Sequence, residues 1–320
     1  HEASRLLVLA SSYWLGIMYY LLLILLALDF LRGLDRALNF LPNSLKYPHP
    51  TSAAAVFFII LLLLIYGRVN ALHPVINRYH LKVEQKSSHM KSLRVVMVSD
   101  LHLGWIVGID RLNQMIAAIN ELDPDLVLLA GDIVDEGIDP KTEAQIPEAF
   151  RSLRSRWGSY AVLGNHEYIS GQDESVVSCL GAGGVKVLRD EWILLDNAFY
   201  LVGREDRGHG RASAARKPLA EVMAGINHDR PIIMLDHNPS QLEEGQINGV
   251  DLQLSGHTHQ GQLFPLGFIT QRMYEVDWGY LQKGELQVLV STGVGTWGPP
   301  IRIGNTPEIV ELKINFSGGS

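Results

Sequence analysis

The sequence predicts an α/β domain built on a largely parallel sheet and preceded by a helical membrane anchor. Three observations predict it. The first 72 residues hold two long apolar runs. From Leu93 onward, apolar segments of strand length alternate with a segment of helical period, the pattern of a parallel-type sheet. Charge divides at the same place. Residues 1–94 carry 10 Lys and Arg against 4 Asp and Glu, a net of +6, whereas residues 95–320 carry 17 against 30, a net of −13. The composition, 47% hydrophobic and 19% charged, excludes a disordered or collagen-like chain and a disulfide scaffold. The one cysteine, Cys179, permits no intrachain disulfide and reads as a buried thiol.

Taken in order, Leu6–Phe30 is apolar except for Ser11, Ser12, Gly16 and Asp29. As a helix it reaches roughly 37 Å, enough to cross roughly 30 Å of hydrocarbon. A signal peptide is the competing reading, but its apolar core is shorter, roughly 7–15 residues. Leu31, Leu34, Leu38 and Leu41 recur at helical spacing, so the helix is expected to continue along the interface. The second run, Ala53–Tyr66, is short alone, but a helix from Pro50 to Leu72 would span, with Arg68 reaching the head groups. Residues 1–72 thus read as an anchor with spans at 6–30 and 50–72. Residues 73–92 read as a basic linker, 93–315 as the folded domain and 316–320 as a tail. Two spans place His1 and the domain on one side. The basic residues Arg68, Arg78, Lys82, Lys86, Lys91 and Arg94 lean that side toward the cytoplasm. A chain starting at His1 reads as processed or cut from a longer one, which leaves room for further spans upstream.

Leu93–Val98, Leu126–Ala130 and Tyr160–Leu163 read as strands, and Ile109–Leu122 as a helix. Past Val185 short strands follow, then Ile232–Leu235, Val250–Leu254, Leu286–Val290 and Ile309–Ile314. Five of these strands end in polar clusters: Ser99-Asp100-Leu101-His102, Gly131-Asp132-Ile133-Val134-Asp135, Gly164-Asn165-His166-Glu167, Asp236-His237-Asn238 and Gly256-His257-Thr258-His259. Ligands of open α/β sheets gather at the carboxyl ends of strands, so the five clusters can converge. Asp, Asn and His without thiolate suit Mn, Fe, Zn or Mg and not a structural zinc cage. There are too many ligands for one ion and about enough for two. Singly, each cluster has a bland reading: a helix cap, a turn, or two polar residues on one strand face. Five together do not.

The ordered set DxH, GDxxD, GNHE, H and GHTH resembles the calcineurin-like metallophosphoesterase superfamily, from about Leu93 to about Leu312. Gly256–Gln262 and the later Gly293–Gly298, Arg302 and Pro307-Glu308-Ile309 resemble one branch, the YkuE/YaeI-like membrane-attached phosphodiesterases. That branch includes enzymes that cleave UDP-diacylglucosamine. The resemblance implies a metallophosphoesterase β-sandwich flanked by helices. It implies two divalent metal ions, with manganese favoured and Fe, Zn or Mg as alternatives. Asp100, His102 and His259 would hold one ion, Asn165, His237 and His257 the other, and Asp132 would bridge them. His166 would stand beside the substrate, oriented by Asp135. Glu167 is read as supporting the site or as exposed, and Asp236 as supporting His237.

Arg204, Arg207, Arg211 and Arg216 fall in a Gly- and Ala-containing stretch that could meet a phosphate, or simply be a solvated basic loop. Arg302 and Arg204 are carried as candidate substrate contacts. The expected activity is hydrolysis of a phosphodiester or pyrophosphate bond in a phospholipid or lipid-linked substrate, at the bilayer. A phosphomonoesterase or a nucleotide or nucleic-acid phosphodiesterase is the alternative on the same metals, and a catalytically silent sensory module the alternative of another class. The net charge of −13 speaks against a nucleic-acid partner. Oligomeric state is left open.

Overall fold

The computed structural model describes residues 2–47, 49–85, 90–135, 137–138, 140–206 and 216–318. Helix α1 (Glu2–Leu38) runs unbroken through the leucine-bearing segment 31–38, because the first proline is Pro42. Asp35 fixes its end, accepting from Leu41 N at 2.6 Å and pairing with Lys46 at 2.9 Å. After the short α2 (Asn43–Lys46), α3 covers Pro50–Leu72. The His49 ring accepts from Thr51 N at its start, and Pro50 sits where no N–H is needed. Both helices leave large apolar side chains uncovered, among them Leu7, Trp14, Phe57, Phe58 and Leu62. A core helix of a soluble protein hides such residues. Here two helices, long and apolar enough to cross a bilayer, leave them bare, which suggests a membrane association.

The stretch expected to be a basic linker contains a strand. β1 (Val75–Gln85) pairs in parallel along its whole length with the C-terminal β12 (Glu308–Gly318). Leu81 and Val83 are buried and Tyr79 packs behind them, while Arg78, His80 and Lys82 alternate outward. This is a period of two that the basic residues mask.

Beyond β1 the chain forms two six-stranded sheets. The first adds β2 (Ser92–Val98), β3 (Leu126–Ala130), β4 (Ser159–Val162) and β5 (Val185–Val187), in the order β1-β12-β2-β3-β4-β5. β2 to β5 are mutually parallel, and β12 is antiparallel to β2. The second sheet holds β6 (Glu191–Leu195), β7 (Phe199–Gly203), β8 (Ile232–Leu235), β9 (Leu252–Ser255), β10 (Gly279–Lys283) and β11 (Leu286–Val290). Their order is β10-β11-β9-β8-β7-β6. β7, β8, β9 and β11 are parallel, and the two edge strands are antiparallel.

Alternation along β3 shows why the sheets stack. Leu126, Leu128 and Ala130 meet Leu201, Ile233, Leu235 and Leu254 between the sheets. Val127 and Leu129 face α4 (Ile109–Glu121), α5 (Pro140–Arg151) and α7 (Asp173–Ala182) on the outside. A strand buried on both faces must be apolar throughout. Truncating Leu128 to alanine in this core would cost about 2–5 kcal/mol. The second sheet is covered by α8 (Leu219–Val222) and α9 (Leu242–Ile247). The architecture is a β-sandwich flanked by helices, and the carboxyl ends of β2, β3, β4, β8 and β9 open on one side.

Candidate metal centre

Each strand of this set runs out of apolar residues at the same edge, and the chain there turns sharply. Asp100, His102, Asp132, His257 and His259 all adopt left-handed backbone conformations, with φ between 49° and 73°. Non-glycine residues rarely sit there, and their gathering at one edge marks strain held by the surroundings. Two glycines are required by contact. A Cβ on Gly164 would collide with the carboxylate of Asp132, and one on Gly256 with that of Asp100.

The aimed side chains meet in three overlapping groups whose potential ligand atoms lie within 4.8 Å of one another: Asp100 with His102 and His259, His102 with Asp132 and His166, and Asp132 with His237 and His257. His102 Nε2 faces His259 Nε2 at 3.0 Å, and His259 Nε2 lies 3.4 Å from Asp100 Oδ1. Asp132 Oδ2 lies 3.2 Å from His237 Nε2 and 3.9 Å from His102 Nε2, between the two outer groups. Asn165 Oδ1 is 2.8 Å from His257 Nδ1, which is 3.3 Å from His237 Nε2. All seven residues read from sequence as ligands are thus brought to one pocket.

The electrostatics favour a cation. Burial pushes the Asp100 carboxyl up to about 6 and the His102 imidazole down to about 4. Burial and Arg302 together hold His259 well below an ordinary imidazole. His102 and His259 therefore face each other uncharged, with at most one proton to share between two nitrogens 3.0 Å apart. The buried His102 Nδ1 has no hydrogen-bond partner among the described residues. Burial opposes charge on His237 and Asp132, yet their mutual attraction raises the imidazole and lowers the carboxyl. Such converging lone pairs of oxygen and nitrogen, with no thiolate, fit divalent cations.

The sequence profile of the calcineurin-like phosphoesterase family matches residues 93–261. The chain belongs to this family. A zebrafish (Danio rerio) transmembrane protein with metallophosphoesterase domain is 32% identical over 268 residues, covering 78% of this chain and 60% of that protein. An uncharacterized metallophosphoesterase of Aquifex aeolicus is 32% identical over 254 residues, 76% of this chain and 95% of the relative. The uncharacterized metallophosphoesterase YkuE of Bacillus subtilis is 30% identical over 230 residues, 69% and 78%. The chain spans about 60% of the zebrafish relative's length. A calcineurin-like phosphoesterase domain implies divalent metal ions, and the three overlapping groups are where this chain could hold them.

Around that set, the phosphoesterase domain supplies supporting contacts. His166 Nδ1 lies 3.1 Å from Asp135 Oδ1, and its backbone N–H donates to Asp132 Oδ1 at 2.9 Å. Burial opposes a charge on this ring, but Asp135 and Asp132 raise it above the ordinary imidazole range. Glu167 is fully buried and accepts from Ile133 N, Val134 N and Gly164 N at 2.7–2.9 Å. It clamps the Asp132 turn to the start of α6 (Asn165–Ile169). Its place three residues after Gly164 is the capping-box spacing, a signal the sequence did carry. Asp236 forks onto Arg216 at 2.6 and 2.9 Å, beside His237.

The two arginines expected at the substrate lie in the interior instead. Arg302 is buried, donates to Gly295 O at 2.7 Å and lies 3.1 Å from His259 Nδ1. Arg204 is buried between Asp190 and Glu244, at 3.4 Å from each. The Gly- and Ala-containing stretch around Arg204 and the Gly/Pro segment around Arg302 read as loop, but the guanidiniums answer Asp190, Glu244 and the Gly295 carbonyl. Arg207 and Arg211 lie outside the described residues. Sequence reasoning missed one aromatic ring, Tyr274, 6.1 Å from that of His257, and carried Trp297, 5.9 Å from the His166 ring, only as part of the Gly293–Gly298 motif.

Proposed function

We propose that the chain is a membrane-anchored phosphoesterase. It would cleave a phosphodiester or pyrophosphate bond in a phospholipid or lipid-linked substrate, using two divalent cations, with manganese favoured. The observation that carries the reading is that the anchor is built onto the site. Asn70 of α3 donates to Arg302 O at 3.0 Å and Asn305 O at 2.6 Å, and Arg302 abuts His259. A soluble substrate needs no such coupling, whereas an anchored site raises the local concentration of a lipid.

Asp100, His102 and His259 would hold one cation, Asn165, His237 and His257 the other, with Asp132 between. Divalent cations there supply Lewis acidity toward phosphoryl oxygens and a lowered pKa for water. The chain's own part is positional. Asp135 holds the His166 ring through Nδ1, which leaves Nε2 to give a proton to the leaving oxygen. Glu167 keeps Asp132 and His166 in register. The α1–α3 hairpin would return the chain to its starting side, and the basic residues near Arg68 favour the cytoplasm for that side.

The test is purified full-length chain in nanodiscs with Mn²⁺, assayed on lipid phosphodiesters, lipid-linked pyrophosphates, an aryl phosphodiester, an aryl phosphomonoester and a cyclic nucleotide. The reading expects metal-dependent diester cleavage, fastest on a lipid. Preference for the monoester or the soluble nucleotide overturns the lipid assignment. The absence of any metal-dependent turnover favours a silent binding module.

A further inference from the structure

The segments flanking the site are apolar and uncovered. The turn after His259 leads through Phe264 into α10 (Gly267–Met273), and Trp297 stands across from it. Phe264, Phe268, Ile269, Met273 and Trp297 are each 54–68% exposed. Water-soluble domains rarely gather such side chains without a partner. The segment is tied to the site at both ends. Gln262 bonds Trp297 through N–H and carbonyl, at 2.9 and 2.7 Å. Thr258 Oγ1, beside His257 and His259, donates to Asp277 O past the far end of α10.

The anchor sets the depth of this rim. α3 ends at the domain, so the domain side of the antiparallel α1 is its N-terminal end. Gly16 of α1 faces Leu64 of α3 and packs on Pro299 and Ile301, while Gly67 packs on Ile301 and Ile303. Leu6, where the apolar run begins, lies about 15 Å beyond Gly16 on the domain side. Tyr19 lies about 4.5 Å past Gly16 in the opposite direction, into the span, and its hydroxyl donates to Phe264 O at 3.3 Å. Leu263 and Leu266 pack with the same helices. With the hydrocarbon boundary drawn at Leu6, Phe264 falls on the membrane side of it; drawn at Arg68, Phe264 falls at the boundary itself, since its N–H donates to Ile303 O and Ile303 packs on Gly67. Polar groups fall where head groups would be. Arg68 and Arg111 line one small cleft with Thr296, and among the described residues no carboxylate pairs with either. Arg272 on α10 is exposed and long enough to reach the same level.

We propose that the catalytic domain is itself seated in the bilayer: the rim of Phe264, Phe268, Ile269, Met273 and Trp297 is immersed in the leaflet beside α1 and α3. The lipid phosphate plane lies at Arg68 and Arg111. The mouth next to His166 and His257 then opens at the lipid–water boundary, so a substrate reaches it from within the leaflet. The inference rests on α1 and α3 crossing the bilayer, and not on the identity of the reaction.

Depth measurement tests it. In a Cys179→Ser background, single cysteines replace Phe268, Met273, Phe58 of α3 and the 81% exposed Ile247 of α9. Each takes a nitroxide label, in full-length chain at one copy per phosphatidylcholine–phosphatidylglycerol nanodisc. Relaxation by oxygen against a water-soluble nickel chelate should place the Phe268, Met273 and Phe58 labels in lipid. Their oxygen-to-nickel ratio should be several-fold above that at Ile247. Labels at 268 and 273 in water with the label at 58 in lipid overturn the proposal. A label at 58 in water overturns the anchor reading instead. Shielding at 268 that needs two copies per disc makes a second chain the occupant and also overturns it. Quenching by bromine-substituted acyl chains, diminished in Trp297→Phe, repeats the test without cysteine substitution; quenching unchanged by that substitution counts against the seat.

Discussion

The two sides of the site's mouth break opposite rules of folding. On the inner side, Asp100, His102, Asp132 and His237 bury charge and lone pairs where a soluble core would place apolar groups. On the outer side, Phe264, Phe268 and Met273 leave apolar surface bare where a soluble domain would place charge. Each anomaly has the same form. The local free energy is unfavourable until something outside the chain is added: cations for the inner set and, on the proposed seat, lipid for the rim. The contrast teaches that the chain alone is an incomplete description of its own site. It also says how to break the site, since cation-side changes should act on every substrate and lipid-side changes on lipid substrates alone.

The largest effect is expected from Asp132→Asn. The amide keeps an oxygen that can accept from His166 N, so the fold should survive. The charge facing His237 and His102 is lost. Losing several kcal/mol of electrostatic stabilisation corresponds to roughly a 10³-fold fall in kcat/KM. The fall should be equal for lipid and soluble aryl diesters, with the melting temperature in metal-free buffer nearly unchanged. A fall confined to lipid substrate would erase the distinction between the two sides.

Next is His166→Asn. Removing a proton donor should lower turnover by about 10²-fold or more, least for substrates with acidic leaving groups such as nitrophenol. Cation affinity, read by calorimetry, should stay within a few-fold of the parent, because the seven ligand candidates remain. Loss of cation binding would move His166 into the ligand set, as its closeness to His102 and Asp132 allows.

The inner side was far more legible in the sequence than the outer. Strand-end clusters announce themselves because a short apolar run stops at a polar residue with glycine beside it, and five such stops cannot all be turns. β2, β3, β8, β11 and α4 were legible for the same reason: strong local pattern. What was illegible depends on contacts far along the chain. Basic residues hid the alternation of β1, whose partner strand lies at the other end of the sequence. Arg302 read as a substrate contact in a Gly/Pro-rich loop, and Glu167 as supporting the site or exposed with only its capping-box spacing as a signal; the folded chain brings Gly295 and His259 to the one, and Ile133 and Val134 to the other. The rim segment Leu263–Ile269 is too short to register as a membrane signal. Its meaning comes from its depth against Tyr19.

A smaller effect is expected at Glu167→Gln. The amide keeps one acceptor for the three N–H donors and directs two N–H bonds at them, loosening the Asp132 turn without touching substrate. A roughly tenfold loss of cation affinity, together with lower turnover on every substrate, is the range for a group that orients ligands. The double-substituted Asp132→Asn/Glu167→Gln chain should lose little beyond Asp132→Asn alone, because Glu167 acts through that turn.

The smallest effect, and the one that most sharpens the comparison, is expected at Phe268→Ser. The residue is exposed and makes one aromatic contact, with Phe264 at 5.8 Å, so stability in detergent should change by less than about 1 kcal/mol. Moving a phenyl ring out of lipid removes about 1.5–3 kcal/mol of transfer free energy. If the rim holds the mouth in the leaflet, kcat/KM on a lipid substrate in nanodiscs should fall about tenfold, while the soluble aryl diester should be cleaved at the parent rate. Arg272→Ala, which keeps the rim apolar, should leave both rates within about twofold. Equal losses on both substrates at Phe268 would mean that α10 shapes the metal centre through His259, and that the two sides of the mouth are one.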